Sequence, residues 1–184
     1  MNTPKWIIVH NSAVSREKNP EQFDSINNYH KSKGWGMIGY HYLLEPNGII
    51  KKGRAENQVG AHCYQEGMNY NSIGICLTGY FDIEEPTKEQ KEALADLVKE
   101  LQKKYKIPDE NVVGHRHFAP KTCPGTNIPD DIVKWLKTDL TDEEWCRKHL
   151  READWDKLIK ISPELPTAFR ALALRGKGWW NSNS

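Results

Sequence analysis

The sequence predicts an α/β fold: a mixed central β-sheet flanked by helices, with a helical C-terminal extension. Three observations predict it. Short β-branched runs at 7–9 (IIV), 72–78 (SIGICLT) and 111–114 (NVVG) alternate with stretches of helical period, an order that builds a sheet covered by helices. Pro46-Asn47-Gly48 separates two strand-like runs, so one strand pair is a hairpin. Beyond about residue 140 only helical signals remain.

Taken in order, residues 5–10 (KWIIVH) form a buried strand. It ends on His10, before the turn-like Asn11-Ser12-Ala13. Residues 20–32 read as a helix, with Pro20 at its start, Phe23, Ile26, Tyr29 and His30 at helical spacing, and Gly34 as its stop. Residues 39–44 (GYHYLL) and 49–52 are the hairpin strands, and 72–78 a further buried strand. Thr87, with Gln90 at the capping-box position, opens a helix whose inner face is Leu94, Leu97, Val98 and Leu101 and which ends near Tyr105. The short strand 111–114 delivers His115. A helix follows over 128–136, with Pro129-Asp130-Asp131 in its first turn. Thr141 to Glu144 form another capping box, opening a helix to about 161. Pro163 and Pro166 interrupt it, and a second short helix, 167–175, stops at Gly176. The domains therefore read 1–140 and 141–184, with Trp179 and Trp180 expected to dock on other surface.

Charge and cysteine content exclude several classes. With 26 basic and 25 acidic residues and no basic run, the chain lacks the footprint of a nucleic-acid or membrane-surface binder. No apolar stretch is long enough to span a bilayer. The start, MNTPKWIIVH, is not a cationic region followed by an apolar one, so no secretory signal and synthesis in the cytoplasm are expected. Four cysteines in 184 residues are too few for a disulfide scaffold. Reduced thiols are expected, with a Cys63–Cys76 pairing left open.

The stretch 114–125, GHRHFAPKTCPG, concentrates His115, His117, Lys121 and Cys123. Zinc takes neutral imidazole and thiolate, and catalytic sites keep three protein ligands and one open position. The seven-residue gap between His115 and Cys123 is not a zinc-finger pair, so a third ligand comes from elsewhere, and His10 at another strand end is a candidate. By residue type alone a metal site and a set of satisfied histidines beside a buried thiol remain open alternatives.

Four separated pieces, IIVHNSA (7–13), GWGMIGYHYLLEPNGIIKKGR (34–54), VGAHCYQEGMNYNSIGICLTGYFD (59–82) and GHRHFAPKTCPG (114–125), resemble in order and spacing the zinc-dependent N-acetylmuramoyl-L-alanine amidases of the T7 lysozyme and peptidoglycan-recognition-protein type. The resemblance covers about residues 5–140. It implies one Zn2+ held by His10, His115 and Cys123, a catalytic Tyr40 and Lys121, and a cleft lined by His62. Cys123, where the wall-recycling branch carries Asp, places the likeness nearest the phage branch. His117 has no role in the resemblance, and His41 is expected to pack beneath the sheet. With His62, Trp35, Asn69 and Asn71, on loops near the expected cleft, are candidate substrate contacts, Asn71 with an equal case for capping a turn. Arg54 is expected either to pair with a muropeptide carboxylate or to be solvated.

The reaction implied is hydrolysis, by a zinc-activated water, of the amide between N-acetylmuramic acid and L-alanine. The chain is thus expected to be an endolysin-like peptidoglycan hydrolase, made without a signal peptide and acting on the cell wall after release. The alternative is a peptidoglycan-binding recognition protein without catalysis, and in this family such members lack the cysteine that Cys123 supplies. The resemblance also raises a phage RNA polymerase as a second partner. A monomer is expected.

Overall fold

The apolar run expected at 5–10 forms β1 (Trp6–Asn11) of the computed structural model, which describes residues 1–137. The extension expected over 141–184, with Trp179 and Trp180, lies outside the described residues. Four further strands follow: β2 (Tyr42–Leu44), β3 (Ile50–Lys52), β4 (Ser72–Leu77) and β5 (Val112–Gly114). They form one sheet in the order β3-β2-β4-β1-β5. β1 runs parallel to β4 and β5, β2 parallel to β4, and only the β2–β3 hairpin is antiparallel. Central parallel strands are covered on both faces, which explains the runs of buried positions along β1 and β4.

Side chains alternate across the strands. Ile7 and Val9 of β1, Tyr42 and Leu44 of β2, and Ile73, Ile75 and Leu77 of β4 share one large cluster with α2 (Lys88–Tyr105) and α3 (Ile132–Lys137). α2 meets that cluster through Leu94, Leu97, Val98 and Leu101. It starts at the expected capping box, with Thr87 Oγ1 accepting Gln90 N–H at 3.0 Å and Gln90 Oε1 accepting Thr87 N–H at 3.1 Å. It ends as Lys106 turns left-handed at φ 56°. The opposite face carries two smaller clusters. Leu43 and Cys76 pack with Ile38 and with Phe23 and Ile26 of α1 (Phe23–Ser32), and Ile8 and Val113 pack with Cys63 and Met68.

Three elements depart from the sequence expectation. α1 begins at Phe23, three residues after Pro20. Its first amides are taken by the buried Glu45 carboxylate, which accepts Gln22 N–H at 3.1 Å and Phe23 N–H at 2.9 Å. An anion at a helix N-terminus satisfies groups that have no partner inside the helix. β2 is confined to Tyr42–Leu44, because Gly39 and Tyr40 give their carbonyls to Ala61 and Arg54 instead. α3 begins at Ile132 because Asp131 caps it from outside, accepting Lys134 N–H at 3.0 Å. Cys63 and Cys76 are free thiols.

Candidate metal centre

In the β1–β5 pairing Val9 lies opposite Gly114. β5 then ends while β1 runs on beside β4 to Asn11, and the next side chains are His10 and His115, with ring centroids 4.5 Å apart. His10 alternates with Val9 and lies on the face of Ile8, away from α2. Cys123 reaches the pair on a loop that folds back along β5. Arg116 N–H donates to Cys123 O at 2.7 Å, and Cys123 Sγ lies 3.8 Å from His10 Nδ1. Glycines permit the closure: a Cβ on Gly114 would fall 2.5 Å from the Pro124 ring, and Gly125 (φ 117°) lies against the Phe81 backbone. One ligand atom from each of His10, His115 and Cys123 fits within 4.8 Å of the others.

Burial, reinforced by His62, His115 and Lys121, pushes His10 well below the usual histidine pKa. Burial and then Lys121 lower His115 to about 4. Both imidazoles are therefore neutral and offer a lone pair at pH 7. Burial raises the Cys123 thiol to about 11, against the Asn11 amide and nearby Lys121 and Arg116. A cation binding here displaces that thiol proton. His115 Nε2 is buried with no hydrogen-bond partner among the described residues. Such an atom costs about 1–3 kcal/mol. Two neutral imidazoles and a thiol suit a borderline-soft metal ion.

The three side chains line a cleft of about 700 Å3 that also reaches Tyr40, Lys121, His62 and Trp35. The Tyr40 ring lies 5.2 Å from that of His10. Burial, and then the Cys76 and Cys123 sulfurs, raise its pKa well above the usual phenol value, so it remains an O–H donor. Lys121 is exposed at the rim. Trp35 is 44% exposed, and its ring lies 4.6 Å from His30. His62 Nδ1 sits 3.0 Å from His10 Nε2.

The fold does not bring every candidate to the cleft. Asn71 lies before Ser72, which pairs with Trp6 at the far end of β1 from His10. Its side-chain amide donates to Gly67 O, as a turn cap does, and its backbone carbonyl accepts Lys5 and Trp6 N–H. Asn69 Oδ1 accepts the His62 and Cys63 amides at 2.8 and 2.9 Å, holding the His62 loop. Arg54 is half-buried and tied to the backbone. Its guanidinium donates to the carbonyls of Ile38, Val59 and Trp35. His117 is exposed and packs its ring on Trp6 and Phe118. His41 is wholly buried: its Nδ1 accepts Gly74 N–H, so Nε2 carries the proton and donates to Gln58 O.

Two residues that hold the site escaped sequence reasoning. Asp82 accepts Thr122 O–H and Thr126 N–H, each at 2.8 Å. Arg116 donates to the carbonyls of Thr122, Gly125 and Ile128 and to Asp130. Both grip the loop around Cys123. Arg116 stands inside the GHRH run, where the adjacent histidines draw attention away from it.

A mixed α/β sheet whose strand ends present two neutral histidines and a thiol around one point, open to a cleft with a phenol and an ammonium, defines a candidate metal-dependent hydrolase. The chain belongs to the N-acetylmuramoyl-L-alanine amidase family, whose model matches residues 1–126. It is 35% identical over 136 residues to the endolysin of Escherichia phage T7, covering 70% of this chain and 83% of that endolysin. It is 34% identical over 116 residues to peptidoglycan-recognition protein SC2 of Drosophila melanogaster, covering 62% of each. Among solved structures, the N-acetylmuramoyl-L-alanine amidase LysC from Clostridium intestinale URNW superposes with a TM-score of 0.64 at 32% identity, over 74% of this chain and 84% of that one.

Proposed function

We propose that this chain is an endolysin-type amidase that cleaves the amide between N-acetylmuramic acid and L-alanine in bacterial peptidoglycan, with one Zn2+ held by His10, His115 and Cys123. The observation that carries the reading is the convergence of those three donors beside Tyr40 and Lys121 in one cleft. The family match ending at residue 126 and the compact unit Met1–Leu136 support confining the chemistry to residues 1–140, with 141–184 as an appended segment.

Zn2+ held by His10, His115 and Cys123 would supply Lewis acidity and activate water for attack at neutral pH. The protein supplies the rest. Amide hydrolysis places negative charge on the carbonyl oxygen in the transition state. Tyr40, kept protonated by burial, donates a hydrogen bond to that oxygen, and the Lys121 ammonium at the rim adds positive charge beside it. The neutral His10 and His115 rings keep their lone pairs available down to mildly acidic pH.

Cell-wall turbidity assays with and without a zinc chelator, joined to mass spectrometry of the digest, test the reading. Lysis that stops with chelator and resumes with zinc, releasing L-alanine amino termini, is expected. Equal lysis in both arms overturns the metal centre. Release of reducing sugar ends overturns the bond assignment. Muropeptide binding without cleavage points instead to a recognition protein, the reading that the 34% identity to the Drosophila protein keeps in view.

A further inference from the structure

Resting on the zinc reading above, we infer that His62 is a positioning residue: its Nδ1 holds the His10 proton on Nε2 and so presents His10 Nδ1 to the metal. The resemblance gives His62 only a place in the cleft lining.

The two nitrogens of His10 face different neighbours. Nε2 lies 3.0 Å from His62 Nδ1, and Nδ1 lies 3.8 Å from Cys123 Sγ. A hydrogen bond between two neutral imidazoles holds a single proton, in one of two ways. If His62 Nδ1 donates, the His10 proton sits on Nδ1 and blocks the lone pair that faces the thiol. If His10 Nε2 donates, Nδ1 is free towards Cys123, and the His62 proton sits on its own Nε2. Only the second arrangement serves a metal. The partner on the far nitrogen of a metal-bound histidine fixes both its tautomer and its ring angle.

The surroundings of His62 suit this task better than contact with substrate. Asn69 Oδ1 holds the backbone amides of His62 and Cys63. The ring packs against two glycines: a Cβ on Gly60 or on Gly74 would come within 2.5 Å of it. Its Nε2 is buried, without a partner among the described residues, and lies over those glycines. The nitrogen left over after the bond to His10 therefore does not open onto the cleft. Gly74 sits in the middle of β4, where glycine weakens a strand, and the imidazole fills the space its missing side chain leaves.

The test uses the full chain and does not depend on catalysis. Zinc affinity is measured by chelator competition for the wild type, His62→Leu and His62→Asn. In the asparagine variant Oδ1 stands in for Nδ1 as acceptor. The leucine variant should bind zinc roughly 10–100-fold more weakly, and the asparagine variant should recover most of that loss. Long-range 1H–15N NMR of the zinc-loaded wild type should show His10 protonated on Nε2, a readout that a purely structural role for His62 would not require. Undiminished zinc affinity in His62→Leu, or zinc on His10 Nε2, overturns this role and leaves the amidase reading intact. A wild type that takes up no zinc overturns the metal centre and this role with it. If the leucine variant does not fold, the asparagine variant and the wild-type spectrum decide.

Discussion

The two faces of the sheet are built from the same strands and do opposite work. Beneath α2 and α3, Ile7, Val9, Leu44, Ile73, Ile75 and Leu77 form one continuous aliphatic layer. On the other face the alternating positions are Ile8, His10, His41, Leu43, Gly74 and Cys76, and the apolar residues there split into two small clusters. The second face trades aliphatic side chains for imidazoles. Gly74 leaves space for the His62 ring, and buried ring nitrogens of His62 and His115 lack partners among the described residues. A close-packed layer tolerates neither a gap nor an unpaired polar atom without loss of stability. Stability is concentrated on one face so that the other can carry polar chemistry.

Substitutions should separate the faces. Cys123→Ser is expected to have the largest effect, lowering release of L-alanine amino termini by at least ~10^3-fold, because the metal's several kcal/mol of transition-state stabilisation go with its ligand. Thermal unfolding of the metal-free protein should barely move. Leu94→Ala, at a wholly buried position of α2, should behave in reverse. It should cost about 2–5 kcal/mol in denaturant unfolding with kcat unchanged for the folded fraction. If instead the cysteine variant unfolds, or the leucine variant keeps its stability, the division between the faces is broken.

Acid should sharpen the same contrast. His115 titrates at about 4 in the folded chain, below the ~6.5 of an unfolded histidine. Between those values the unfolded state binds the extra proton. The contribution of His115 is thus complete above pH ~6.5 and is lost as pH falls towards 4, with His10 acting in the same direction. The melting temperature of metal-free protein should therefore be lower at pH 5 than at pH 7.5. The offset caused by Leu94→Ala, which involves no proton, should be the same at both.

How much of this was legible depended on the distance over which each cause acts. α2 could be read because Thr87 and Gln90, three residues apart, cap it themselves. The start of α1 could not, because its cap is Glu45, on the far side of a turn and more than twenty residues away. His10 and His115 could be picked out as strand-end histidines. Their meeting depends on the parallel β1–β5 register, which no local pattern encodes, and only the resemblance joined them to Cys123. Arg54 and Asn71 could not be placed for the same reason: their partners are backbone groups brought near by the fold, and every residue type offers those.

The smallest expected effect concerns how Cys123 is held. Arg116 spreads its donors over the carbonyls of Thr122, Gly125 and Ile128, on both sides of the cysteine, and over Asp130. Asp130 is 88% exposed at its side chain, and an ion pair so open to water is worth about 0–1 kcal/mol. The carbonyl contacts therefore carry the positioning. A lysine ammonium cannot span three diverging carbonyls as the planar fork does. Arg116→Lys should loosen the loop and weaken zinc binding about tenfold, or ~1.4 kcal/mol, while Asp130→Asn leaves affinity within about twofold. Chelator competition on both variants distinguishes the contributions. A larger loss in Asp130→Asn than in Arg116→Lys would show that charge, not the geometry of the fork, holds the thiol in place.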